Sequence, residues 1–321
     1  MNIRRYIIRR LVTAFATFLV ILTLNFVIFH TIPGDPVRTL FQDPRLTEED
    51  IARLRHIFGL DKPILEQYIV YMRNSLTGEM GISFTYREPV ADYVVERLEN
   101  TLILVGSASI LALVMGVAIG IVAAWRRDTL TDYSLLGGSL FLYSMPTFWL
   151  GMLALFALTG LVPSGGMYTP GAMYSSPFDK FLDLLHHLIV PMTVLTLVLF
   201  GQYVMIMRSS LIDVLYEDYM TTAKAKGLSD RRLLRDHAVP NAMLPLVTIT
   251  AINLSFIVGG AIQTETVFSW PGVGRLMYDA LMTRDYPILQ GSFLIVTAVA
   301  LAATVLADIA YAFLDPRVKV R

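Results

Sequence analysis

Side chains capable of acid–base, nucleophilic or metal chemistry are sparse in this chain and sit mainly at the edges of long apolar runs. Glu265 and Asp308 are carboxylates near the ends of two such runs. A carboxylate held in lipid is costly and commonly serves ion or proton transfer. Both also stand near an expected membrane interface, where solvation or a helix-end contact would satisfy them. His30 has a similar position. His186 and His187 are adjacent, so on a helix they point about 100° apart and do not readily grip one metal. Asn25, Gln202, Asn253 and Gln263 read as interhelical hydrogen-bonding groups; Asn253, Gln263 and Glu265 are the candidates for a pathway lining or gate. No HExxH, GxSxG or GxxxxGK[ST] pattern occurs, and Gly272 and Gly274 lack a third glycine at dinucleotide-site spacing. Metal-assisted hydrolysis, serine acyl transfer and phosphate-loop ATP hydrolysis are therefore not expected. Catalytic, cofactor-binding and metal-binding residues are assigned to none of the chain. Cysteine is absent, which removes disulfides, thiolate ligands and cysteine nucleophiles.

The elements that must position these groups are membrane spans. The chain has 321 residues, 55% hydrophobic and 16% charged, against about 25% charged in soluble domains. A formal net charge of zero excludes a generally basic nucleic-acid binder. Arg4, Arg5, Arg9 and Arg10 precede an apolar run from Leu11 to Ile32. That run exceeds a signal-peptide core of roughly 7–15 residues and is long enough to cross a hydrocarbon layer of about 30 Å. It reads as an uncleaved first span. The remaining spans are expected at Thr101–Ala124, Ser134–Leu161 with a kink at Pro146, Leu188–Met207 with Pro191 near its start, Leu246–Ile262, and Ile288–Ala312. Gly116 and Gly120 give the second span a small-xxx-small face for close helix approach.

Between the first two spans the chain turns at Pro33-Gly34-Asp35-Pro36 and becomes soluble in character. Thr47 with Asp50 resembles a capping box before Ile51, Leu54, Ile57 and Phe58, and Gly59 ends that helix. Pro63 opens another, with an apolar stripe at Leu65, Tyr68, Ile69, Met72 and Leu76, closed by Gly78. A third amphipathic piece spans Pro89–Leu98. Such stripes usually pack on a neighbour; a lid or docking surface is the functional alternative. A loop rich in Gly, Pro, Ser and Tyr covers Val162 to Leu185.

Lys and Arg in the short loops set the orientation. One side holds the N-terminal arginines, Arg126, Arg127, the segment from Arg208 to Pro245, and Arg317, Lys319 and Arg321. The opposite side holds Lys180, Arg275 and Arg284 in its two later loops. Both termini are therefore expected in the cytoplasm, with Arg208–Pro245 beside them.

That segment is a hydrophilic island between apolar runs. It reads as a helix from Ser210 to Ala225, a break at Gly227, and a second helix capped by Ser229 and carrying Arg231, Arg232 and Arg235. Pro240 and Pro245 are expected to end the element. A solvated basic loop would explain the charge but not the ordered caps and breakers.

The segment TTAKAKGLSDRRLLRDHAVP resembles the EAA loop of ABC-importer permeases, with Ala223 at the second alanine, Gly227 at the glycine and Val239-Pro240 at the Leu-Pro. Thr221, Thr222 and His237 depart from that pattern, while YMTTAKAKGLS and NAMLP are similar to the dipeptide/oligopeptide branch. RRYIIRRL with IPGDP, ETVFSWPGVGRL with RDYPILQG, and DPRVKVR extend the resemblance from end to end. It implies an all-α integral membrane protein with six transmembrane helices, the type I ABC importer transmembrane fold and a largely helical external loop between spans 1 and 2. Residues 1–98 would form the first span and external region, and 99–315 the permease core. The implied partners are a paralogous permease subunit, two cytoplasmic ABC ATPase subunits, an external solute-binding protein and membrane lipid, in a bacterial or archaeal cytoplasmic membrane. ATP and Mg would be used by the ATPase subunits, with no cofactor bound by this chain. The implied docking loop comprises Asp218, Tyr219, Thr222, Ala223, Lys224, Ala225, Lys226, Gly227, Arg231 and Arg232. Peptides are the expected substrate; nickel chelates, glutathione and oligosaccharides are alternatives within the family. An ion-driven secondary transporter is the more remote reading.

Overall fold

The computed structural model describes residues 3–31, 47–57, 61–257 and 261–314. Among the described residues the chain is helical, and β-pairing is limited to isolated bridges joining Ile82 to Pro89 and Thr159 to Val162. Among the described residues four helices are long and apolar enough to cross a membrane, or five if a bent pair is counted as one span. The expected turn at 33–36, Phe58 and Gly59, and the basic tail from Asp315 onward lie outside the described residues.

Helix α1 (Ile3–Thr31) is the first span, α2 is Glu48–Ile57 and α3 is Ile64–Thr77. Pro63 is the N-cap of α3, and Gly78 closes it in the left-handed conformation at φ 82°, its N–H bonded to the Asn74 carbonyl. Glycine suits that position because it lacks the Cβ that penalises positive φ. The apolar stripe of α3 differs from the expectation. Leu65, Ile69 and Leu76 are exposed; the inward face presents Tyr68 and Tyr71, whose rings meet Phe26 of α1. Aromatic rings carrying a hydroxyl bridge an apolar partner and a polar one, and Tyr68 also shares a 2.8 Å hydrogen bond with Thr23.

The piece at Pro89–Leu98 is continuous with the second span in α4 (Val90–Trp125). Val90, Val94 and Leu98 recur every fourth residue and are buried, so one face continues from outside the membrane into it. Helix α4 packs along α7 (Pro177–Leu215), and the glycines are the reason they approach so closely. A Cβ on Gly116 would run into Tyr203, and one on Gly120 would lie 2.7 Å from the Met207 Cβ. The small-xxx-small face is thus the α4–α7 seam.

The expected third span is broken. Helix α5 (Leu130–Tyr143) stops before Pro146, which caps α6 (Thr147–Ala157), and the two helices diverge by 99°. Proline cannot donate its backbone hydrogen bond and disfavours helical geometry in the residue before it. Pro191 behaves differently: α7 begins at Pro177, capped by Ser176, and runs through Pro191 without ending. The nine residues at 177–185, read as loop, are therefore helix. Helix α7 is followed by α8 (Asp218–Ala225), α9 (Asp230–Arg232), a π-helical turn (Leu233–Ala238) and α10 (Val239–Ala242).

Helix α11 (Leu244–Ile257) occupies the expected fifth span, whose residues 258–260 are outside the described set. Short α12 (Ile262–Val267) and amphipathic α13 (Val273–Thr283) precede the last span, α14 (Tyr286–Leu314). Helix α14 packs on α1. Asn25 donates to the Gln290 carbonyl at 3.2 Å, and Arg10 pairs with Asp308 at 3.1 Å. Asp308 is therefore committed to an interhelical ion pair.

Candidate functional site

The hydrophilic island folds back onto the membrane core. Met220 and Ala223, three residues apart on α8, are 3% and 9% exposed and pack with Met207, Leu211, Leu233, Ala238 and Leu246. That spacing puts both on one helix face, and the opposite face is open. Asp218, Tyr219, Thr221, Thr222, Lys224, Ala225, Lys226 and Gly227 are exposed, as are Arg231 and Arg232. One expected docking residue changes role: Ala223 faces the core, where a small side chain lets α8 lie close. Partial burial raises the Tyr219 hydroxyl pKa above its ordinary value, with the Glu217 carboxylate adding to it.

Gly227 ends α8 at φ 81°, and a Cβ there would meet nothing within 4 Å. Glycine is therefore required by the backbone turn and not by crowding within the chain. Ser229 has the extended backbone of an N-cap but makes no side-chain cap bond. The prolines also act differently from expectation. Pro240 lies in the first turn of α10 and Pro245 in that of α11, so neither ends the element. Pro240 cannot donate to the Asp236 carbonyl, and the wider π-turn at 233–238 immediately precedes it. A π-turn of this kind accommodates a proline that would clash in a tight helix. Beside α8 a cleft of about 320 Å³ is lined by Trp125, Arg127, Thr221, Lys224 and Asp230. The Arg127 guanidinium stands 4.5 Å from the Tyr216 ring centroid.

The root of this element is a buried ion pair. Arg208 donates through Nε and Nη2 to both Asp132 oxygens, each at 2.6 Å, and Asp132 is fully buried. Bidentate geometry fixes the C-terminal half of α7 against the start of α5.

A second polar joint lies at the other end of α4. Glu265, expected near solvent, is fully buried. Thr101 donates to one carboxylate oxygen at 2.7 Å and the Arg275 N–H to the other at 2.9 Å. Thr101 in turn accepts from the Val273 N–H at 2.8 Å. Trp270 is buried and donates to the Asn100 carbonyl, while Asn100 donates to the Pro271 carbonyl. Gly272 makes this possible, since a Cβ there would overlap the Glu265 carboxyl group. Glu265 thereby joins α4, α12 and α13 with both oxygens taken by fixed donors. Asn253 donates to Tyr203 Oη at 3.0 Å and to Gln202 at 3.4 Å, bridging α11 to α7. Gln263 is exposed and makes no hydrogen bond among the described residues. His30 meets Gln67 across α1 and α3 at 3.1 Å, and His187 bonds the Asp183 carbonyl at 2.9 Å.

Other polar ties join parts of the chain that are distant in sequence or sit in loops. Asp285 accepts from Ser83 at 2.6 Å and from the Thr85 N–H at 2.9 Å, pinning the region before α4 to the start of α14. Asp183 accepts from the Thr169 N–H and hydroxyl and from Tyr174, binding the loop before α7 to that helix. Asp183 follows Asp179 and Lys180 in a mixed stretch and Asp285 belongs to RDYPILQG, and neither context names its partner.

Two family models match. The binding-protein-dependent transport system inner membrane component covers residues 116–320, and the N-terminal model of binding-protein-dependent transport system membrane components covers residues 3–105. The chain is 37% identical to the dipeptide transport system permease protein DppB of Escherichia coli K12, over 98% of each chain. It is 35% identical to the oligopeptide transport system permease protein AppB of Bacillus subtilis, over 98% of this chain and 99% of that one. Identity to the di/tripeptide transport system permease protein DppB of Pseudomonas aeruginosa is 34%, over 98% of both. With its buried helix seams, broken third span and solvent-facing α8, this chain belongs to the binding-protein-dependent transport system inner membrane component family.

Proposed function

We propose that the chain is one permease subunit of an ATP-driven peptide importer and that α8 is where the ATP cycle of a partner enters it. The curated relatives named for dipeptide and oligopeptide transport support the substrate class. The observation that carries the mechanism is the two-sided character of α8. Met220 and Ala223 bind it into the same apolar cluster as α4, α7 and α11, while Thr221, Thr222, Lys224, Ala225 and Lys226 face outward. A push on the exposed face is then borne by packed side chains that resist compression and reaches the spans.

In this reading a paralogous permease completes the pathway, a solute-binding protein delivers peptide, and two ATPase subunits bind below. ATP binding draws the two coupling elements together and favours the outward-open state; hydrolysis restores the inward-facing one. The change requires contacts that differ between the two states. Arg231 and Arg232, exposed beside α8, offer guanidinium groups to acidic partners. Asn253 and Gln263 remain the pathway candidates, one bridging α11 to α7 and the other exposed on α12.

Gly227→Pro tests this reading, because proline fixes φ near −65° where the native turn needs 81°. The variant is expected to insert and to assemble the outer joint, but to lose substrate-stimulated ATPase activity and uptake in the assembled complex. Uptake at the unaltered rate would overturn the assignment of α8.

A further inference from the structure

The far end of α4 from α8, roughly 54 Å away along a 36-residue helix, carries a cleft of about 260 Å³. It is lined by Tyr86, Tyr93, Arg97, Gly272, Arg275 and Asp279, with Pro271 and Leu276 completing the wall. Tyr86 and Tyr93 stack with ring centroids 4.4 Å apart. The Arg97 guanidinium lies 4.7 Å from the Tyr93 centroid and donates to its hydroxyl at 2.8 Å. Among the described residues no carboxylate forms an ion pair with Arg97. Arg275 has one, Asp279, at a loose 3.6 Å.

A half-buried guanidinium without a carboxylate partner is a receptor for a planar anion, because its fixed fork of donors matches two carboxylate oxygens. The charge balance of the lining is two arginines against one aspartate, which leaves room for a single negative group. The stacked tyrosines supply a flat apolar wall beside it, suited to a side chain. We propose that this cleft binds the C-terminal carboxylate of a peptide, with Arg97 on the carboxylate and Tyr86 and Tyr93 against the last side chain. The proposal rests on the peptide-import reading for its choice of ligand. The cleft lining includes Gly272, which abuts the Glu265 carboxyl, and the Arg275 N–H is one of the donors to that group. A peptide seated here therefore bears on the joint among α4, α12 and α13.

The test is equilibrium binding of radiolabelled N-acetyl-Ala-Phe to the full chain in lipid nanodiscs, beside its C-terminal amide. The free acid is expected to bind saturably, the amide at least about tenfold more weakly, and Arg97→Gln to reduce acid binding to the level of the amide. Tyr93→Phe keeps the ring and is expected to retain binding, which separates loss of the guanidinium from misfolding. Equal binding of acid and amide, unaltered binding by Arg97→Gln, or no saturable binding of the acid would each overturn the site. N-acetyl-Ala-Asp-amide binding as tightly as the free acid would reassign the cleft to a side-chain carboxylate and overturn the terminal one. Peptide uptake by the assembled complex separates the two readings. Uptake without probe binding rejects the cleft and leaves the importer standing, whereas probe binding in a complex that imports no peptide upholds the cleft and rejects the peptide importer.

Discussion

Single residues in this protein matter where a polar group is buried or a side chain is missing. Glu265 and Gly272 form the sharpest pair, one supplying a carboxyl group and the other the space for it. Gly272→Ala is expected to destabilise the protein by about 1–3 kcal/mol through overpacking. In thermal unfolding, Glu265→Ala with Gly272→Ala should cost less than the sum of the single changes, since the clash is removed with the acid; strict additivity would contradict the contact. Tyr174 gives a pH signature. Its hydrogen bond to Asp183, with the negative charge there, pushes the hydroxyl pKa up to about 12. A raised folded-state value means that this contribution is intact below the ordinary tyrosine pKa near 10 and is lost as pH rises through about 12. Proteolysis of the loop before α7 should accelerate over that interval, and Tyr174→Phe should abolish the step.

Among the elements, α8 has one face packed in the core and the other exposed, and the proposed docking role can be tested on each face separately. Ala223→Leu adds bulk to the buried face and should displace the helix, lowering both stability and substrate-stimulated ATPase activity. Lys224→Glu with Lys226→Glu alters the exposed face alone. Exposed substitutions of this kind cost within about 0.5 kcal/mol, so the melting temperature should hold while ATPase stimulation falls. If the double charge reversal left stimulation intact, the exposed face of α8 would not be the docking face. The α4–α7 seam shows how much an element depends on small residues. Gly116 and Gly120 stand against Tyr203 and Met207, and no larger residue fits without separating the two longest helices.

For the whole molecule, orientation is the property that the positive-inside bias predicts and labelling can check. The chain contains no cysteine, so single cysteines report without background. Met173 is 97% exposed in the loop before α7, and Lys226 is exposed just after α8. In intact cells an impermeant maleimide should label Met173→Cys, and Lys226→Cys should react only after permeabilisation. The reverse pattern would invert the topology and place α8 outside.

Apolar runs of membrane length, the cationic start, the hydrophilic island and the glycine that breaks it were all determined by the sequence itself. Each depends on local composition: hydrocarbon demands apolar length, and positive φ demands glycine. The seam at Gly116 and Gly120 was also legible, although its partner was not. Tertiary structure alone decided the rest. It turned Pro146 into a 99° break while carrying Pro191 within a continuous helix, because neighbouring packing determines whether a proline ends a helix. It placed Ala223, expected on a docking face, in a core and buried Glu265 against donors from α4 and α13. It also paired Arg208 with Asp132 and Asp308 with Arg10. Those outcomes depend on partners far away in the chain. A lone acid in an apolar stretch announces that it needs a hydrogen-bond or charge partner, and only the fold supplies which one.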